Sequence, residues 1–118
     1  MTRTMLQGAV LGVLLGRTAL AQEPSDQTTL AHQYATCAAY YFNAVNTKPM
    51  KEYETFYSAG EDAFNAAVKI VGRKEVDRSM AEASAEMTQL MASNWLNFHR
   101  VEARYGPNCA RLVGLATP

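Results

Sequence analysis

The chain carries few of the residues from which reactive sites are built. It has two cysteines, Cys37 and Cys109, and two histidines, His32 and His99, in 118 residues. With no C-x-x-C pair there is no dithiol redox motif, and with no C-x-x-C-H there is no covalent haem attachment. No G-x-S-x-G elbow, S-x-x-K motif, phosphate-cradling glycine loop or dinucleotide fingerprint occurs, so the sequence offers no support for an enzyme. It also lacks the roughly 20 consecutive apolar residues that a membrane-spanning helix needs. No stretch alternates apolar and polar residues as a strand does, and there is no repeat or low-complexity segment. A basic surplus is missing too, since 11 Lys and Arg balance 11 Asp and Glu, which removes the electrostatic footprint of nucleic-acid binding.

What is present is an ordinary globular balance, 48% hydrophobic and 19% charged, in a length that allows one domain. The first residues follow a three-part export pattern. Arg3 supplies a positive start, Ala9 to Leu15 is a short apolar run, and Ala19-Leu20-Ala21 fits the small-x-small rule for cleavage. Residues 1–21 therefore read as a signal peptide and 22–118 as a single helical domain beginning at Gln22. Arg17, between the apolar run and the cleavage site, is unusual in such a leader. Without Arg3 and Arg17 the remainder holds nine basic and eleven acidic side chains. The expected location is the periplasm or the exterior.

Three helices are expected. The first follows a cap at Ser25 or Asp26 and places Leu30, Tyr34, Cys37, Tyr41 and Val45 on one face. Asn46 to Pro49 is a polar break, with Thr47 as cap. The second helix shows Met50, Tyr53, Tyr57, Gly60, Phe64, Ala67, Val68 and Val71, widened by Phe56 and Ala63, and Gly72 closes it. The third runs from Lys74 to Tyr105 on the stripe Val76, Met80, Ala83, Met87, Leu90, Met91, Asn94, Phe98, Val101, Tyr105. Gly106-Pro107 supplies its stop. Short connections make consecutive helices antiparallel. The fold class is thus all-α, a small antiparallel three-helix bundle with a long third helix and a short C-terminal segment.

The cysteines test that architecture. In an exported chain with two cysteines, a structural disulfide between Cys37 and Cys109 is the default. A straight third helix would end about 25 Å or more from the level of Cys37, at about 1.5 Å per residue, whereas bridged Cα atoms lie within about 7 Å. The third helix must therefore bend, break or cross steeply, or the bond joins two chains. Ser93-Asn94, lying across the apolar stripe, is the preferred site of a bend.

Candidate site residues divide by chemistry. His32 and Cys37 are five apart, about 140° around a helix, so they do not chelate as residues three or four apart do. The E-x-x-H pairs of di-iron bundles are absent, Thr29 and Leu96 standing where glutamates would. No metal or other cofactor is expected. Met80, Met87 and Met91 follow the core stripe and read as packing. Glu75, Glu82 and Glu86 line the opposite face and read as solvated, with a hydrolase using Glu82 and Glu86 as a remote option.

The aromatics are in excess. Tyr40, Tyr41 and Phe42 spread over about 200° of a helix, and Phe56-Tyr57 repeats the effect. Either the segment after Cys109, with Leu112, Val113 and Leu115, folds over the first helix, or Tyr40, Phe42 and Phe56 form an exposed patch for a partner. The expected function is a protein-binding accessory, adaptor or inhibitor whose partner is another envelope or secreted protein. The alternative is a carrier of a small apolar ligand or cofactor between the helices.

Overall fold

The computed structural model describes residues 26–114, and they form four α-helices: α1 (Asp26–Ala44), α2 (Met50–Val71), α3 (Arg73–Leu90) and α4 (Phe98–Val113). The expected signal peptide, Gln22, Ser25 and Leu115 lie outside the described residues. The all-helical expectation holds among them, and the helix count does not: the segment expected as one long third helix is two. No helix among the described residues is long and apolar enough to cross a membrane.

The central element is α1. Its buried residues, Ala31, Ala35, Cys37, Ala38, Ala39, Tyr40, Tyr41 and Ala44, face almost every direction around the axis, because α2, α3 and α4 all pack against it. Alanine permits this, since five of those eight side chains end at Cβ and let neighbouring backbones close in. Contacts set the directions. Gly60 lies against Phe42 while Ala67 shares a cluster with Ala35, so α2 runs antiparallel to α1. Val76 also joins Ala35, and Asn43 Nδ2 reaches Ser84 Oγ at 3.4 Å, so α3 runs parallel to α1. The pairs Cys37–Cys109 and Lys48–Glu102 turn α4 antiparallel again. Consecutive helices therefore alternate in direction, as the short connections require.

The connections have local causes. Gly72 is the only residue between α2 and α3. Its φ of 88° and ψ of 162° suit a residue without Cβ. Before α2, Pro49 is the N-cap and no side chain caps the helix. Thr47, expected there, instead donates its hydroxyl to the Ala44 carbonyl at 2.8 Å, closing the short 3-10 turn Val45–Thr47.

The break between α3 and α4 falls where a bend was expected. Ala92 and Ser93 both take positive φ, 52° and 57°, a conformation that costs an L-residue about 1–2 kcal/mol. Compensation comes from hydrogen bonds around the turn. Ser93 N donates to Thr88 O at 3.0 Å and Asn94 N to Met91 O at 3.1 Å. Asn94 Oδ1 accepts from Leu96 N at 3.0 Å. Asn97 Nδ2 donates to Met91 O at 2.9 Å, and Arg100 Nη1 to Leu90 O at 3.3 Å. The carbonyls left over at the end of α3 are thus satisfied by the turn itself and by the Asn97 and Arg100 side chains that follow it.

Gly106-Pro107 does not end the last helix. Pro107 sits inside α4, which continues to Val113 and is closed by Gly114 in the left-handed region. Pro107 and Ala103, four residues before it, are exposed, so the carbonyl that loses its proline-blocked donor faces water. Continuation past Pro107 brings Cys109 over Cys37, with Cα atoms 5.4 Å apart and the disulfide formed within one chain. Both cysteines are 1% exposed, so the bond is part of the core.

Candidate functional site

The aromatic residues fall into two groups. The first is internal. Tyr40 and Tyr41 are 4% and 2% exposed, Tyr40 lying against Phe98 at 6.2 Å and Tyr105 at 6.4 Å between ring centroids. Cover for α1 therefore comes from the whole of α4, with Leu112 and Val113 packed at its end. Tyr40 is not part of an exposed patch. Three helices offer too little cover for the consecutive rings Tyr40, Tyr41 and Phe42, whereas the broken chain supplies a fourth, α4, which returns across Tyr40. A Cβ on Gly106 would stand 3.2 Å from the Tyr40 hydroxyl, so glycine gives that ring its room. Phe56 is half-buried, edge-on to Tyr41 at 5.5 Å, and the Lys48 ammonium lies 4.9 Å over its ring while bonding Glu102 at 2.8 Å. Burial, then the Glu102 charge and Tyr41, push the Tyr40 phenol well above its ordinary range. Burial pushes Tyr41 up to about 12. The Tyr41 hydroxyl has no hydrogen-bond partner among the described residues.

The second group faces outward. The buried residues of α2 are small, Ala59, Gly60, Ala63 and Ala67, and the large ones lie beside them. Met50 is 88%, Tyr53 42% and Tyr57 41% exposed, contrary to their expected place on the core stripe. Close helix approach selects small side chains, while a hydrophobicity pattern registers large ones. The Tyr53 and Tyr57 rings stack 6.0 Å apart and 9° from parallel. Phe42 continues the set from α1, 5.5 Å from Tyr57. Its ring is pressed onto α2 because Gly60 lacks a side chain; a Cβ there would come within 2.7 Å of it.

These rings open into a surface groove of about 350 Å³, whose walls are Phe42, Tyr57, Phe64 and Met80 and whose polar rim is Glu61, Asn65 and Asp77. Phe42 is the one expected partner-binding residue in this groove, Tyr40 and Phe56 being directed elsewhere. The hydrophobic stripe of the second helix predicts Tyr53 and Tyr57 as core, although their spacing of four on a helix rich in smaller apolar residues also fits an exposed pair.

The other candidates are accounted for locally. His32 and His99 are exposed, and no group of three or more His, Cys, Asp or Glu side chains among the described residues is placed to hold a metal. Met87 and Met91 are buried. Glu75 and Glu82 both pair with Arg78. Glu86 accepts a hydrogen bond from the Tyr105 hydroxyl at 3.1 Å. Burial, then that bond and the carboxylate charge, raise the Tyr105 phenol. Glu86, Gln89, Leu90, Arg104 and Tyr105 line a second cleft, of about 370 Å³, between α3 and α4.

No family model, curated protein or solved structure matches the chain.

Proposed function

We propose that this protein is an exported, disulfide-stapled helical module without catalytic activity, which binds another envelope or secreted protein through the face formed by Tyr53, Tyr57 and Phe42. The observation that carries this reading is the pair of tyrosines stacked on each other in solvent beside a third ring. Tyrosine supplies large amphipathic contact area and dominates many binding hot spots. Rings that stack on one another are ordered before the partner arrives, which lowers the entropic cost of association. A buried disulfide agrees with an oxidising compartment. The groove, about 350 Å³, falls at the small end of ligand sites and favours the second reading, a carrier of a small apolar ligand.

The test is the double variant Tyr53→Ala, Tyr57→Ala. Both side chains are substantially exposed, so melting should move little, while affinity for the purified partner, identified by capture from an envelope or culture extract, should fall at least about thirtyfold, as for hot-spot loss of 2 kcal/mol or more. Equal binding by variant and parent would remove the tyrosine face as the docking surface. A small molecule co-purifying with the parent and lost from the variant would favour the carrier.

A further inference from the structure

A cation already stands over one of the groove's rings. The Arg73 guanidinium, at the first position of α3, lies over the Phe64 ring with its central carbon 5.5 Å from the ring centroid. Asp77, one turn on, approaches it with Oδ2 3.7 Å from Nε. Phe64 and Asp77 are both groove residues, and Glu61 adds a second carboxylate to the rim. An aromatic face with carboxylates at its edge is a setting in which a guanidinium or ammonium gains from the ring quadrupole and from full charges together. The internal occupant is held loosely, since the side chains of Arg73 and Asp77 are 75% and 58% exposed.

We propose that this end of the groove is a subsite for a basic side chain of the bound partner, an arginine or lysine on the segment that docks across Tyr53 and Tyr57, and that Arg73 is its internal placeholder, displaced on binding. The inference rests on the docking face proposed above and adds to it the chemistry of what is recognised. The apolar wall, Phe42, Tyr57 and Met80, accommodates the methylene stem of such a side chain. Glu61 and Asp77 meet its charged head.

The experiment uses the mature protein, isotopically labelled, and follows amide and aromatic resonances during titration with N-acetylarginine amide. N-acetylleucine amide and N-acetylglutamate amide are the controls. The expected result is saturable shifts confined to Tyr57, Glu61, Phe64, Asp77 and Met80 with the arginine derivative alone, weakened by Asp77→Asn. Arg73→Ala should tighten binding about two- to fivefold, the equivalent of one exposed cation–π contact no longer in competition. Lys74→Ala removes the same charge from the neighbouring exposed position without uncovering Phe64, and should not reproduce the gain. Arg73→Gln serves if the alanine variant proves unstable. Shifts spread over the Glu82 and Glu86 face, equal responses to the three derivatives, or equal gains from Arg73→Ala and Lys74→Ala would overturn the proposal. If the tyrosine variant loses the partner and the arginine derivative still gives no local shifts, the docking face stands and only its cation subsite falls.

Discussion

Neighbouring tyrosines on α1 illustrate how little residue type says about role. Tyr40 is enclosed by α4, and its truncation to alanine is expected to cost about 3–5 kcal/mol, the range for deleting a buried ring. Tyr41 is equally enclosed, between Tyr40 and Phe56, but its hydroxyl has no partner among the described residues. An unsatisfied buried hydroxyl costs about 1–3 kcal/mol. Tyr41→Phe should therefore leave stability unchanged or raise it by about 1 kcal/mol, while Tyr41→Ala should lose as much as Tyr40→Ala. Urea denaturation of the three variants checks this, and a destabilised Tyr41→Phe would show that the hydroxyl has a partner. Such a series separates the packing of a ring from the chemistry of its tip.

At the scale of elements, α4 is the helix whose position depends most on a covalent bond. It is joined to α1 by the disulfide and to the α1–α2 connection by the Lys48–Glu102 pair, and it buries Phe98, Val101 and Ala110. The bond spans 72 residues, for which the chain-entropy model gives about 4 kcal/mol. Cys109→Ala is expected to lower stability by about that amount, within the 2–5 kcal/mol usual for a lost native bridge, with most helical circular dichroism retained because α1, α2 and α3 keep their own cluster. In the same variant Trp95, stacked on Phe98 at 5.5 Å, should shift its fluorescence as the start of α4 loosens. A wild-type protein whose dimer collapses to monomer under reduction would contradict the intrachain bond.

For the whole molecule, the raised phenols on α1 set an alkaline limit. Tyr41 is neutral when folded up to about pH 12, against 10.0 when unfolded, and Tyr40 is raised in the same sense. The unfolded chain therefore releases these protons first as pH rises. The stability they contribute is complete below pH 10 and is lost progressively toward 12. Thermal midpoints measured across that interval should fall steeply, and the tyrosinate absorbance of Tyr40 and Tyr41 should appear only with unfolding. A Tyr41→Phe variant should resist alkali better. Ionisation of Tyr40 and Tyr41 in a protein that stays folded would contradict the enclosed aromatic group.

Sequence alone determined the helical class, the first two helices, the closure of α2 at Gly72 and the impossibility of a straight segment from Lys74 to Tyr105 with an intrachain Cys37–Cys109 bond. These follow from short-range regularities: apolar spacing, a glycine stop, and rise per residue set against the reach of a disulfide. It misplaced whatever depends on which surfaces meet. Gly106-Pro107 carries a strong local stop signal, yet α4 runs through it, with Ala103 and Pro107 both on its exposed side. Tyr105 and Glu86, nineteen residues apart and about 28 Å along a continuous helix, are hydrogen-bonded because the chain turns at Ala92-Ser93. Tyr53 and Tyr57 match a core pattern, and Tyr40 resembles Phe42 beside it; their exposure was settled only when α2 approached α1 through alanine and glycine and α4 closed over the other side. Helix-forming spacing is a property of the chain, but burial belongs to pairs of surfaces, and the groove exists only where three of them converge.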